Sequence, residues 1–372
     1  MRPDALSDRA LNRATLDRQL LLRRSELSPL ETVHHLVGMQ AQEPLNPYTA
    51  LWSRLSGFRP EELARLLEER KVVRIVVMRG TIHLVTADDC LLLRPLTQRV
   101  LDGQLSRHRD HAPRLVGVDL EPVLAYARDA LAEKPRTSTE LRALLADRFP
   151  DQDAAALAEA SRIRIACVQV PPRGVWGRTS QVKLTTAESW LGRPLVENPS
   201  IDEVVLRYLR AFGPATVADV AAWSRLTGFR EVVERLRPRL RTFRDERGRE
   251  LFDLPDAPRP DPDSAAPPRF LPEYDNVLLS HADRSRFRSR RTLAPFSAVS
   301  TPIHGTVLQD GYVCGTWRLE RDRDSGGAML VIDHLTPLSK RATASIAAEA
   351  RRFLRFVAAD ADVRDVRFVA VG

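Results

Sequence analysis

One supersecondary pattern, met three times along the chain, limits the available folds more than any single motif does: helices in succession, then a two-stranded hairpin. In the first copy Ser28-Pro29-Leu30-Glu31 forms a capping box with Pro at the first helical position. Leu30, Val33, Leu36 and Val37 then recur at helical spacing over 28–38. A further helix is predicted over 60–70, and β-branched strands over 72–78 and 81–85 flank Arg79-Gly80, a tight hairpin signal. The second copy reads as a helix over 120–131 and a break at Lys134-Pro135-Arg136-Thr137-Ser138. A helix to 145 follows, capped by Thr139 or Ser138, then a helix over 153–162 and strands over 163–170 and 174–184. The third runs as a helix over 201–212, the break Gly213-Pro214-Ala215-Thr216, and a helix over 217–223 capped by Thr216. A helix over 230–236 and a hairpin turning at Glu246-Arg247-Gly248 complete it. Lys-Pro-Arg-Thr and Gly-Pro-Ala-Thr occupy equivalent places in the last two copies. This is the order of a winged helix, a module that binds DNA through a major-groove helix and a basic wing. Winged helices also mediate protein contacts, so the repeat alone does not establish DNA binding.

The stretch 255–268 holds six prolines alternating with Asp and Ala, which excludes a helix or a central strand and marks a boundary. Beyond it the composition turns toward strands at 277–280, 305–309, 312–317 and 328–332, with Asp310-Gly311 as a strong hairpin signal. A helix over 339–358 and a strand over 363–371 close the sequence. The expected fold is α+β: winged-helix units over 1–117, 118–197 and 198–256, a Pro-rich linker over 257–268, and a C-terminal β-rich, small barrel-like domain over 269–372.

Charge narrows the partners. There are 57 Lys+Arg against 49 Asp+Glu, a net charge of +8, and only four of the cations are Lys. Guanidinium offers phosphate a planar fork of donors, although a GC-rich coding bias yields the same composition. The distribution says more: Arg284-Ser285-Arg286-Phe287-Arg288-Ser289-Arg290-Arg291 holds five Arg and no acid, which points to a polyanion. A hydrophobic fraction of 43% excludes wholesale disorder, and no apolar run reaches the ~18 residues of a membrane span. With no apolar secretion signal and three scattered cysteines (Cys90, Cys167, Cys314), a cytoplasmic location without a membrane partner is expected. His34 and His35 are adjacent and the other histidines are scattered, so no metal is expected. Walker, dinucleotide and Gly-x-Ser-x-Gly motifs do not occur, so ordinary ATPases and hydrolases are excluded and no cofactor is expected.

The unusual local feature is Gly38-Met39-Gln40-Ala41-Gln42-Glu43-Pro44. Pro44 disfavours helix at Glu43, and in extended backbone Gln40 and Gln42 project to one side with Ala41 to the other. Two neighbouring amides can hold one water through a carbonyl acceptor and an NH2 donor. On spacing alone, helix-end glutamines wetted by solvent fit better than a water-binding pair.

Gln40-Ala41-Gln42 with Glu43-Pro44-x-x-Pro47-Tyr48 resembles the Gln-x-Gln signature of the AlkZ-like DNA glycosylases. So do Arg79-Gly80-Thr81-Ile82-His83-Leu84-Val85, Leu271-Pro272-Glu273-Tyr274-Asp275-Asn276, and Asp310-Gly311-Tyr312-Val313-Cys314-Gly315-Thr316-Trp317. The YcaQ-like branch has Asp where this chain has Gln42, so the resemblance is to the AlkZ-type branch. It implies a monofunctional glycosylase that releases N7-alkylated guanines and unhooks interstrand crosslinks, in repair or in self-resistance to an azinomycin-type natural product. Gln40 and Gln42 are then the catalytic pair, orienting water. An amide is no general base at neutral pH, and Glu43 projects opposite to Gln42. No Lys accompanies the motif, which disfavours a Schiff-base lyase. A crosslinked base cannot be flipped into a snug pocket, so the DNA is expected to stay largely stacked while a protein element probes a groove, and the resemblance implies a β-hairpin of the C-terminal region in that role. Arg284, Arg286, Arg288, Arg290 and Arg291, the turn at Asp310-Gly311, and His83 in the first wing are the candidate DNA contacts, although a buried core histidine fits His83 at least as well. The expected partner is duplex DNA carrying alkylated guanine, met by a monomer because three DNA-binding units share one chain. A non-enzymatic winged-helix protein, regulating transcription or sequestering a drug, is the alternative; no dimerisation heptad supports a regulator.

Overall fold

The computed structural model describes residues 5–288, 304–322 and 326–371. After a two-residue strand β1 (Ala5–Leu6) comes helix α1 (Asp8–Arg18), capped by Ser7. α2 (Pro29–His35) starts at the expected capping box, with the Glu31 N–H donating to Ser28 Oγ at 3.2 Å and the Ser28 N–H to Glu31 Oε2 at 2.8 Å. β2 (Met39–Gln40), α3 (Asn46–Arg54) and α4 (Pro60–Glu68) lead to the hairpin β3 (Val72–Val76) and β4 (Ile82–Thr86). α5 (Ala87–Ser106) then crosses to α6 (Leu120–Glu133), α7 (Ser138–Arg148) and α8 (Ala154–Arg164), followed by β5 (Cys167–Gln169), β6 (Leu184–Thr186) and α9 (Ala187–Leu191). The third helical group is α10 (Ile201–Phe212), α11 (Val217–Ser224) and α12 (Phe229–Leu236), with the hairpin β7 (Arg241–Asp245) and β8 (Glu250–Asp253). The C-terminal part holds β9 (Arg269–Leu271), β10 (Gly305–Gln309), β11 (Tyr312–Asp322), β12 (Gly327–His334), α13 (Lys340–Val357) and β13 (Val363–Ala370).

The described strands form three sheets, all open. The first two expected wings join into one antiparallel sheet, β2-β4-β3-β5-β6, because β3 pairs with β5 (Ile75 opposite Val168). The third hairpin pairs with β1, which runs parallel to β7. The C-terminal sheet has the order β13-β12-β11-β10-β9 and does not close into the expected barrel; α13 carries the chain across to place β13 parallel to β12. The fold is thus mixed α/β with helices packed on open sheets. One apolar cluster takes in Val73, Ile75 and Val85 of the first hairpin together with Tyr208, Phe212 and Trp223 of α10 and α11. A second joint sets Trp52 of α3 against Phe353 and Phe356 of α13, with ring centres 5.0 and 5.9 Å apart. Among the described residues no helix is long and apolar enough to cross a membrane.

Three local expectations are corrected. Residues 277–280 are not a strand: a 3-10 turn occupies Asn276–Leu278. The residue capping α7 is Thr137, whose Oγ1 accepts from the Glu140 N–H while Glu140 returns a bond to the Thr137 N–H. The strand expected over 174–184 shrinks to β6 because its first half is bonded to α3. Tyr48 Oη donates to the Gly174 carbonyl at 2.9 Å and accepts from the Trp176 N–H at 3.0 Å.

Candidate active site

For Gln40 to reach a strand, α2 must end abruptly. Gly38 allows this with φ of +89°, in the left-handed region, and a Cβ there would meet Val85 Cγ1 at 2.7 Å. β2 then pairs with β4, placing Gln40 opposite His83. The Ala41 N–H donates to the Ile82 carbonyl at 2.8 Å, and buried Arg74 of β3 donates to the Ala41 carbonyl at 2.8 Å. Two strands therefore fix the backbone between the glutamines.

The amides differ in burial. Gln40 is only 7% exposed, whereas Gln42 is exposed. Gln40 Oε1 accepts from Arg79 Nη2 at 2.6 Å, and the same nitrogen donates to Asn276 Oδ1 at 2.8 Å. Arg79 Nη1 donates to the Trp223 carbonyl at 2.9 Å, and Asn276 Nδ2 donates to the Gly38 carbonyl at 3.2 Å. Gln42 Oε1 meets only the Ile82 N–H, at 3.5 Å. Both glutamines thus reach toward the turn between β3 and β4, one held tightly and the other loosely. A small void lies beside Gln40, Arg54 and Asn276, and an open cleft of about 450 Å³ lies beside Gln42, Gly80 and Gln104.

Electrostatics divide the cluster. Burial lowers the Arg79 pKa to about 10, helped by the charges of Arg225 and Arg284, so the group is still a cation at neutral pH. No carboxylate pairs with it among the described residues. His83 is fully buried, with Nδ1 2.9 Å from the Thr81 carbonyl and Nε2 3.3 Å from Arg79 Nη2. Burial, then Arg79, pushes its pKa down to about 3. The loop bearing Asn276 is anchored by a buried bidentate pair, Arg54 with Asp275, at 2.8 Å on both arms. Glu273 of that loop is half-buried and raised above the usual carboxylate range, by desolvation first and by Glu43 second.

The expected DNA contacts fare unevenly. His83 is an interior side chain, so it presents no surface to a duplex. Arg284 is exposed, near enough to act on Arg79. Arg286 is buried and donates to Thr15 Oγ1 at 2.8 Å, 3.1 Å from His281 Nε2, and Arg288 is also buried. Arg290 and Arg291 lie outside the described residues. The Asp310-Gly311 turn is docked on α1: Arg9 Nη1 donates to Asp310 Oδ2 at 2.8 Å and Asn12 Nδ2 to the Gly311 carbonyl at 2.9 Å. Three residues of the site escaped notice in the sequence: Arg79, Asn276 and exposed Arg225. The first two sit inside stretches that carry the family resemblance, but Arg79 reads there as a turn residue and Asn276 as the residue before an expected strand over 277–280. Among the described residues no cluster of His, Cys, Asp and Glu is arranged to hold a metal.

Comparison with known proteins identifies the family. The model of the family described as DNA glycosylase AlkZ-like matches residues 33–356. Over 334 residues the chain is 26% identical to an interstrand DNA cross-link repair glycosylase of Streptomyces sahachiroi, covering 82% of this chain and 85% of that one. It also superimposes on the solved structure of the Streptomyces sahachiroi DNA glycosylase AlkZ with a TM-score of 0.74 at 21% identity, over 98% of this chain and all of the other. The family match begins within α2, ends in the last turn of α13 and takes in Gln40, Arg79, His83 and Asn276 on the way: this chain belongs to the AlkZ-like DNA glycosylases and is a DNA glycosylase.

Proposed function

We propose that the enzyme hydrolyses the N-glycosidic bond of N7-alkylguanine in duplex DNA, interstrand crosslinks included, acting as a monomer with Gln40 and Gln42 orienting the water. Its role is then DNA repair or self-resistance to an alkylating natural product of the azinomycin kind. The Streptomyces relative, an interstrand DNA cross-link repair glycosylase, supports the substrate class. The observation that carries the reading is Gln40 itself, gripped at 2.6 Å by a buried guanidinium beside a neutral imidazole.

An N7-alkylguanine is already cationic, so it departs as a neutral base without a proton donor. As the C1′–N9 bond breaks, its electron pair passes to the guanine and the sugar takes on oxocarbenium character. Water then forms the C1′–O bond and releases a proton to solvent. With leaving-group departure this easy, the enzyme's main contribution is geometry: a water held on the correct face. His83, neutral far below pH 7, supplies no acid, and an amide supplies no base. The four Lys lie outside the cluster, so no Schiff base forms there.

Incubation with a duplex containing N7-methylguanine should release the methylated base and leave an abasic site. The Q40A/Q42A double variant should lose about 100-fold in single-turnover rate, the scale of a misplaced reactant, while duplex affinity stays near that of the wild type. Normal turnover by the double variant refutes the water-orienting role; absence of base release from any N7 adduct refutes the substrate class.

A further inference from the structure

Arg79 combines three properties that a turn residue does not need. Its φ is +57° in the two-residue turn before Gly80, a conformation where Asn or Gly is the unstrained choice. Its guanidinium is buried, yet its described partners are all neutral: Gln40 Oε1, Asn276 Oδ1, the Trp223 carbonyl and, at 3.3 Å, His83 Nε2. And it joins segments far apart in sequence at Gln40, one of the two amides that the chemistry needs.

A guanidinium has donors only. The Gln40 atom facing it is therefore the oxygen, and flipping the amide would set an NH2 group against N–H donors. Asn276 obeys the same polarity, with Oδ1 toward Arg79 and Nδ2 toward the Gly38 carbonyl. Gln40 Nε2 is left facing away from Arg79, and it donates to no acceptor among the described residues. Gln42 is under no such constraint, since its Oε1 meets only a distant N–H at 3.5 Å.

We propose that Arg79 is a positioning residue that locks Gln40 as a hydrogen donor, leaving Gln42 Oε1 as the acceptor for the attacking water. The inference rests on the water-orienting reading above and gives it a direction. One lone pair of the water attacks C1′ and the other accepts from Gln40 Nε2. One water proton points to Gln42 Oε1 and is lost to solvent once the C–O bond has formed. The two glutamines are therefore not interchangeable.

Glutamate is nearly the same shape as glutamine, and it tests this directly. In Q40E, Arg79 holds one carboxylate oxygen and the outward atom changes from donor to acceptor. In Q42E the outward acceptor is kept. Single-turnover release of N7-methylguanine from a duplex oligonucleotide should fall in Q40E as far as in Q40A, about 100-fold, and at least about tenfold further than in Q42E. Q42E should also gain a pH dependence in the carboxylate range that the wild type lacks. R79Q, whose amide can face Gln40 with either atom, should lower the single-turnover rate at unchanged duplex affinity, and R79K, again donor-only, should recover part of it. Thermal melts identify any Arg79 variant that fails to fold, and the glutamate pair then decides alone. Equal losses in Q40E and Q42E, or a deeper loss in Q42E, overturn the polarity. Normal rates in Q40A and Q42A instead overturn the water-orienting reading beneath it.

Discussion

Burying a histidine beside a guanidinium is tolerable only while the imidazole stays neutral. His83 meets that condition with Nδ1–H donating to the Thr81 carbonyl and Nε2 turned toward Arg79. Its proton affinity makes the fold sensitive to acid. The unfolded chain protonates this group below about pH 6.5, whereas the folded chain does so only near 3. Between those values the unfolded state binds more protons, so the contribution is complete above 6.5 and fades as the pH drops toward 3. At pH 5 the loss is on the order of 2 kcal/mol. Urea unfolding at pH 7 and pH 5 should therefore show a smaller acid penalty in His83→Gln than in the wild type, by about that amount. His281, lowered mainly by burial, acts in the same direction and is present in both proteins. Equal penalties would mean that His83 can accept a proton in the folded state.

Helices were largely readable from the sequence because their signals are local. The Ser28–Glu31 box, α10 over Ile201–Phe212 and the Ser339 cap of α13 all lie where caps and spacing put them. The pairing of β3 with β5 was not readable, since nothing near Ile75 encodes a partner at Val168. The loop Leu271–Asn276 failed for a related reason. Its apolar continuation suggests a strand, but the conformation is set by Arg54, more than 200 positions away, gripping Asp275. That grip yields a prediction for the element as a whole. Asp275→Ala leaves a buried guanidinium without its carboxylate and should cost about 3–5 kcal/mol, measured by chemical denaturation. Asp275→Asn, which retains an acceptor for Arg54, should cost less. If Asp275→Ala unfolds at the wild-type midpoint, the loop is held by something other than this pair.

Across the whole molecule, the Arg-rich composition misleads if every cation is assigned to DNA. Arg18 is buried against Asp253, Arg54 against Asp275 and Arg207 against Asp89, Arg269 sits on the Leu21 carbonyl 3.7 Å from Glu349, and Arg74 and Arg286 are buried on a carbonyl and a hydroxyl. These guanidiniums join α1 and α3 to distant strands and loops and α10 to α5, and they have no surface to offer a phosphate. The basic run 284–291 shows the same division: Arg286 faces inward and Arg284 outward. We propose that the DNA footprint comes from exposed cations such as Arg284 and Arg225, whose charges already reach Arg79 beside Gln40. Affinity for duplex should then fall with salt along a slope set by a few phosphate contacts, far fewer than the 57 Lys+Arg of the chain. Arg284→Ala should weaken binding to damaged and undamaged duplex alike and reduce that log–log slope by about 1, read by fluorescence anisotropy across a salt series. Arg286→Ala should act on the melting temperature instead, because its partners are Thr15 and the buried His281 rather than the solvent. If the salt slope responds to Arg286 and ignores Arg284, the inward and outward roles of this run are exchanged when DNA binds.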